Sequence, residues 1–138
     1  MIREATIDDI PDLIVLFEHL HAASGSGPFD KFKAGETALR LIDDEDGIVL
    51  RSDRGVLMGR ADMVWYSSQW LVAEEACCWA EDGKWLALLK AFKVWAQEIG
   101  ADEVRINSTL SPKSGRIARA FKRRIGVSPL QVCYREVI

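Results

Sequence analysis

Apolar positions in this chain recur at two spacings, about 3.6 and 2 residues, and the switches between them outline its elements. A short strand is expected over 2–5, after which Thr6 and, three positions on, Asp9 make an N-terminal capping signal. Ile10, Leu13, Ile14 and Phe17 then follow at helical spacing, with Pro11 in or near the first turn, where its missing donor costs little. The pattern runs out near His21, before a flexible Ala-Ala-Ser-Gly-Ser-Gly-Pro loop. Phe32, Ala38, Leu39 and Ile42 give a second helix over 29–43. From Gly47 the period changes to that of strands, over 48–51 and 56–65, joined by a hairpin turn at Ser52-Asp53-Arg54-Gly55, with a third strand over 70–80. Trp85, Leu88, Leu89, Phe92, Ala96 and Ile99 form one stripe of a long helix that Gly100 closes. Val104 and Ile106 mark another strand. Ser111-Pro112 opens a last helix carrying Ile117, Ala118, Phe121 and Ile125, Gly126 ends it, and 131–138 return as a strand. The order is β-α-α-β-β-β-α-β-α-β, without internal repeats or linkers, which makes 1–138 a single α/β (α+β) domain.

The stretch 74–100 carries the most chemistry. An apolar strand meets Glu81-Asp82-Gly83 and then an uninterrupted amphipathic helix, and a strand feeding a helix N-terminus through a short glycine turn is where α/β proteins hold anionic ligands. Here the turn has one glycine and two carboxylates, which oppose a phosphate where the helix dipole and free amides attract it. Two readings of Asp82 stay open: part of an anion-binding turn, or simply a helix cap.

Composition narrows the class. A length of 138 residues with 49% hydrophobic content suits one buried core. A net charge of −3 argues against nucleic acid as the partner, although Lys122, Arg123 and Arg124 make one local basic face. The three cysteines, Cys77, Cys78 and Cys133, are odd in number and sit in apolar runs, so they read as buried thiols in a reducing compartment. No leader opens the chain and no apolar run reaches the roughly 20 residues of a membrane span, which places the protein in the cytoplasm, with no membrane partner. Phosphate-loop, Gly-x-Ser-x-Gly and paired-cysteine zinc signatures are absent from the sequence. His19 and His21 have no third ligand at suitable spacing, so no metal is expected.

The element order, the opening Ile2-Arg3-Glu4-Ala5-Thr6-Ile7-Asp8-Asp9-Ile10-Pro11, the helix over 88–100 followed by Ala101-Asp102, and the ending Phe121-Lys122-Arg123-Arg124-Ile125-Gly126-Val127-Ser128-Pro129-Leu130 resemble the GCN5-related N-acetyltransferase (GNAT) superfamily. The resemblance spans nearly the whole chain and implies a mixed, mostly antiparallel central sheet flanked by helices, with acetyl-coenzyme A as co-substrate and an amine of a small molecule or protein as acceptor. Compact members with a similarly abbreviated turn are common in bacteriophages, so a phage or prophage source is in keeping with the resemblance. It implies a cofactor site at Cys78, Trp79, Gly83, Lys84, Trp85, Leu86, Asn107 and Lys122, and catalysis at Glu75, Glu74 and Tyr134. The family usually carries Gln or Arg, two residues, Gly, one residue, and Gly or Ala between its fourth strand and long helix. Glu81-Asp82-Gly83-Lys84-Trp85-Leu86 departs from this, so backbone donors reach a pyrophosphate only if Glu81 and Asp82 point away. The family's tyrosine acid, four residues before the terminal glycine, is here Lys122, which also reads as part of a solvated basic face.

For the general base, Glu74 and Glu75 face opposite sides of a strand, where a carboxylate beside a cleft has a raised pKa, while an exposed pair at the strand entry is the plainer reading; Asp62 is a weaker candidate. The five tryptophans, Trp65, Trp70, Trp79, Trp85 and Trp95, fall between the third strand and the long helix, are expected mostly in the core, and leave room for a homo-oligomer. The alternative to an acetyltransferase is a catalytically inactive GNAT-fold binding or structural protein, such as a phage particle component.

Overall fold

The computed structural model describes residues 1–107, 114–128 and 135–138. The chain falls into two compact units, Met1–Asn107 and Ser108–Ile138. The first unit holds β1 (Arg3–Glu4), a 3-10 turn (Ile7–Asp9), α1 (Ile10–Ser24), α2 (Lys31–Asp43), β2 (Gly47–Ser52), β3 (Gly55–Met63), β4 (Leu71–Ala80), α3 (Trp85–Glu98) and β5 (Glu103–Arg105); the second holds α4 (Ser114–Arg124).

The five strands form one sheet in the order β1-β2-β3-β4-β5, antiparallel except for the β4–β5 pair. The antiparallel neighbours β2, β3 and β4 are joined by short connections and β1 reaches β2 through α1 and α2, whereas the parallel β5 requires a crossover, which α3 supplies. The Thr6/Asp9 signal is realised: the Asp9 carboxylate accepts from Thr6 N at 2.8 Å and also holds Arg3 and Arg51, tying β1, α1 and β2 together. α1 runs on to Ser24, three residues beyond His21, because the alanines at 22 and 23 extend a helix well. Gly100, at φ +78°, ends the α3 segment, with Ala101 N donating to Ala96 O.

Side-chain alternation splits the core into two layers. Leu13, Leu16, Phe17 and Ala38 of α1 and α2 pack on Val49 and Val56, with Met58, Cys77 and Trp79 at the margin. On the opposite face α3 lays Leu88, Leu89 and Phe92 over Leu57, Gly59 and Ala61. Gly59 has to be glycine: a β-carbon there stands 2.4 Å from the Phe92 ring and 3.0 Å from the Glu74 carbonyl.

In the second unit, α4 ends with Lys122, Arg123 and Arg124 exposed and Ile125 buried, and Gly126, at φ +82°, takes the left-handed cap position. The Ser111-Pro112 start signal and residues 131–134 of the expected final strand lie outside the described residues, and 135–138 carry no regular structure.

Candidate active site

The β3–β4 register contains one irregularity: Met58 faces Cys77, yet Gly59 faces Glu75, so Ala76 is an extra residue bulged out of β4. Without it Glu75 and Cys77 would share a face; with it Cys77 belongs to the α1/α2 layer and Glu75 turns under α3. Beyond the bulge β4 changes neighbours. β5 pairs with it only from Val72 to Glu74. The next contact is made by a side chain: Asn107 Nδ2 donates to the Glu75 carbonyl, while Asn107 N donates to Glu75 Oε2 at 2.9 Å. From Ala76 to Ala80 the outer edge of β4 has no strand partner within residues 1–107. The result is a stretch of β4 edge with outward backbone donors and acceptors, starting beside a clamped carboxylate.

Glu75 is only 2% exposed. Burial pushes its pKa up to about 7; the Asn107 amide works the other way and is outweighed, and the neighbouring Glu74 charge adds a small upward push. Burial likewise raises the Cys77 and Cys78 thiols to about 12, so neither is a nucleophile near neutrality. Glu74, its sequence neighbour, is exposed on the other face. The sequence leaves open a cleft carboxylate or an exposed pair; the structure gives one of each.

At the far end of the β4 edge, both carboxylates of the acidic turn are occupied. Asp82 Oδ2 accepts from Ser52 Oγ at 2.7 Å and from Arg54 N at 3.0 Å, and its Oδ1 accepts from Lys84 N at 3.2 Å. Burial works to raise the Asp82 pKa, but these three donors together hold it below the usual range. Glu81 is held by His19 Nδ1, Trp79 Nε1 and Arg54, and its pKa is lowered first by the His19 contact. Asp82 thus both steers the helix entry and bonds the β2–β3 turn, and Glu81 reaches back to α1. Gly83 sits at φ +73° with open space where a β-carbon would be. An α-helix leaves its first amides without intrahelical acceptors, and at the start of α3 Asp82 Oδ1 takes one of them, Lys84 N. Sequence reasoning missed Ser52 and Arg54; their only signal was a hairpin turn with a cation in it.

On the face away from α3, Arg60, Asp62, Val72, Glu74 and Arg105 line a cleft of about 230 Å3, with Met63 and Val64 at its rim. Arg60 and Arg105 are the cross-strand partners of Glu74.

The other expected site residues fall as follows. Cys78 and Trp79 are half-buried on β4 beyond the bulge, Cys78 facing Leu57 on the α3 side and Trp79 packing at the α1/α2 layer. Lys84, Trp85 and Leu86 open α3. Lys122 is exposed on α4, and Tyr134 lies outside the described residues. His21 bonds the Gly27 carbonyl and packs on Phe29, a fastening of the α1–α2 connection. No group of metal-binding side chains exists among the described residues. The tryptophans do not gather in the core: Trp95 alone is buried, stacked on Phe92, whereas Trp65 is 95% exposed on the β3–β4 loop, where the chain turns through solvent. No helix of the described residues is long and apolar enough to cross a membrane.

No protein-family model and no curated protein matches the sequence. Solved structures do match in fold. A putative acetyltransferase from Arthrobacter sp. FB24 superposes with a TM-score of 0.74 at 19% identity, over 99% of this chain and 96% of that one. A ribosomal-protein-alanine N-acetyltransferase from Brucella melitensis biovar Abortus 2308 gives 0.67 at 16%, over 100% and 99%. An aminoglycoside 6'-N-acetyltransferase from Acinetobacter haemolyticus gives 0.66 at 16%, over 100% and 99%. The chain therefore has the fold of the GCN5-related N-acetyltransferases, as its element order and terminal motifs implied.

Proposed function

We propose that this protein is an N-acetyltransferase that moves an acetyl group from acetyl-coenzyme A to an amine. The carrying observation is the edge of β4 from Ala76 to Ala80, which has no strand partner within residues 1–107 and ends at a helix N-terminus whose two adjacent carboxylates are tied to Ser52, Arg54 and His19. That arrangement fits the donor, because Glu81 is turned back to His19 and Arg54 and one Asp82 oxygen is taken by Ser52 and Arg54, although the other caps Lys84 N. The outward amide and carbonyl of Cys78 face the pantetheine arm, the start of α3 at Lys84, Trp85 and Leu86 faces the diphosphate, with the Lys84 amide held by Asp82, and Gly83 allows close approach.

Acetyl-coenzyme A supplies the activated acyl group. The amine loses a proton, its lone pair forms the C–N bond, the C–S bond breaks, and the departing thiolate takes up a proton, so one proton is released overall when the acceptor enters as an ammonium. Glu75 receives the amine's proton through water at the open edge; its pKa of about 7 suits a base working near neutrality. Asn107 keeps that carboxylate in place. Most of the acceleration comes from alignment of the two substrates. The acceptors of the solved neighbours, an aminoglycoside and a ribosomal-protein alanine, both present amines, in keeping with this chemistry.

Calorimetric titration with acetyl-coenzyme A tests the donor site, with Gly83→Glu placing a side chain and a negative charge in the approach. Micromolar binding lost in the variant supports the reading; no binding to the folded wild type overturns it. For the base, Glu75→Gln is expected to lower kcat about 100-fold or more at pH 8, with little change in acetyl-coenzyme A affinity. An unchanged kcat removes Glu75 from the chemistry.

A further inference from the structure

The cleft on the sheet face away from α3 has an unusual pattern of pairing. Glu74 stands between Arg60 on β3 and Arg105 on β5 as their cross-strand partner, the position in which opposite charges ordinarily join. Neither arginine takes it. Arg105 donates from Nε to Glu103 at 2.7 Å, and Arg60 leans along its own strand toward Asp62, at 3.7 Å. The Glu74 carboxylate makes no hydrogen bond or ion pair among the described residues. The Arg60 guanidinium is 60% exposed and, at 3.7 Å from Asp62, has donors to spare. Among the described residues, an unpaired anion and a cation that meets only Asp62, at 3.7 Å, therefore sit one strand apart, with Val72, Met63 and Val64 beside them.

We infer that this cleft takes the acceptor, and that the acceptor is a free α-amino acid with an apolar side chain, its ammonium on Glu74 and its carboxylate on Arg60. The inference rests on the acetyltransferase reading. A single amino acid carries both charges on one carbon, so one small molecule meets two opposite charges on adjacent strands. A volume of about 230 Å3 suits such a molecule and is below what larger ligands occupy. Val72, Met63 and Val64 offer its side chain an apolar surface. Glu74 directly precedes Glu75 on β4, so the cleft borders the strand that carries the base, on the opposite face of the sheet.

The test compares leucine, leucine methyl ester and 3-methylbutylamine as acceptors in a thiol-release assay, after acetyl-coenzyme A binding has been measured calorimetrically without acceptor. Leucine is expected to exceed the ester and the simple amine at least 10-fold in kcat/KM. Arg60→Gln, at an exposed site where folding is checked by circular dichroism, is expected to lower leucine turnover at least 10-fold and to leave 3-methylbutylamine within 2-fold. Glu74→Gln is expected to raise KM for all three. Equal use of the three acceptors, an equal loss for all three in Arg60→Gln, or no leucine turnover by a protein that binds acetyl-coenzyme A overturns the amino-acid assignment while the donor site stands. Failure to bind acetyl-coenzyme A overturns the acetyltransferase reading, and this assignment with it.

Discussion

Glu75 makes the stability of this protein depend on pH in a particular direction. Its carboxyl is raised from 4.5 to about 7 on folding, mainly by burial. Between those values the folded chain holds a proton that the unfolded chain has lost, so the contribution of Glu75 to stability is full below about pH 4.5 and is lost as pH rises through 7. At 1.36 kcal/mol per unit the full effect is about 3 kcal/mol. Glu75→Gln keeps an acceptor for Asn107 N and has no charge to bury. Urea unfolding at pH 5 and pH 8 is expected to show the variant gaining on the wild type by about 2–3 kcal/mol between the two. Parallel pH dependence of the two proteins contradicts a buried, raised carboxyl. Asp82 and Glu81 are lowered instead, so what they contribute is lost only as pH falls toward the acid range, outside this window. The sequence offered Glu74 and Glu75 as equals, since adjacent strand residues differ only in face; which face is covered depends on α3, a packing fact.

At the scale of elements, the β4 bulge and the α3 contact are one device. Ala76 rotates the strand so that Glu75 enters the α3 layer, and Gly59 opposite it leaves room for Phe92, which is fully buried. Gly59→Ala is expected to cost about 1–3 kcal/mol, because the new methyl lies 2.4 Å from the Phe92 ring in a packed core. Combining it with Phe92→Leu relieves that clash, so the pair is expected to be less destabilised than the sum of the two single changes, measured by denaturant midpoints. Additive losses place the strain elsewhere. Element boundaries were legible to within a few residues from period and caps, as the long α3 helix and the Gly55-to-Met63 strand show. The bulge was not legible, because its cause is pairing between strands and its sequence is an ordinary alanine in an apolar run.

For the molecule as a whole, a ligand that binds only the folded chain stabilises it by mass action. Acetyl-coenzyme A at 100 times its Kd is expected to add about 2.7 kcal/mol, a rise of a few degrees in Tm, measured by scanning calorimetry. Gly83→Glu is expected to abolish that rise; a rise kept in full puts the donor away from the 81–84 turn. The sequence by itself determined the element order, the capped starts and glycine stops, the long amphipathic helix and the resemblance those features carry. These are local properties, fixed by period, propensity and backbone freedom within a few residues. Only the tertiary structure decided that Glu81 and Asp82 are tied down by partners more than 25 positions away, that Glu75 is buried while Glu74 is open, and that Arg60 and Arg105 turn to Asp62 and Glu103 instead of Glu74. A charge's chemistry depends on what surrounds it in space, and in this chain those surroundings come from other strands and helices.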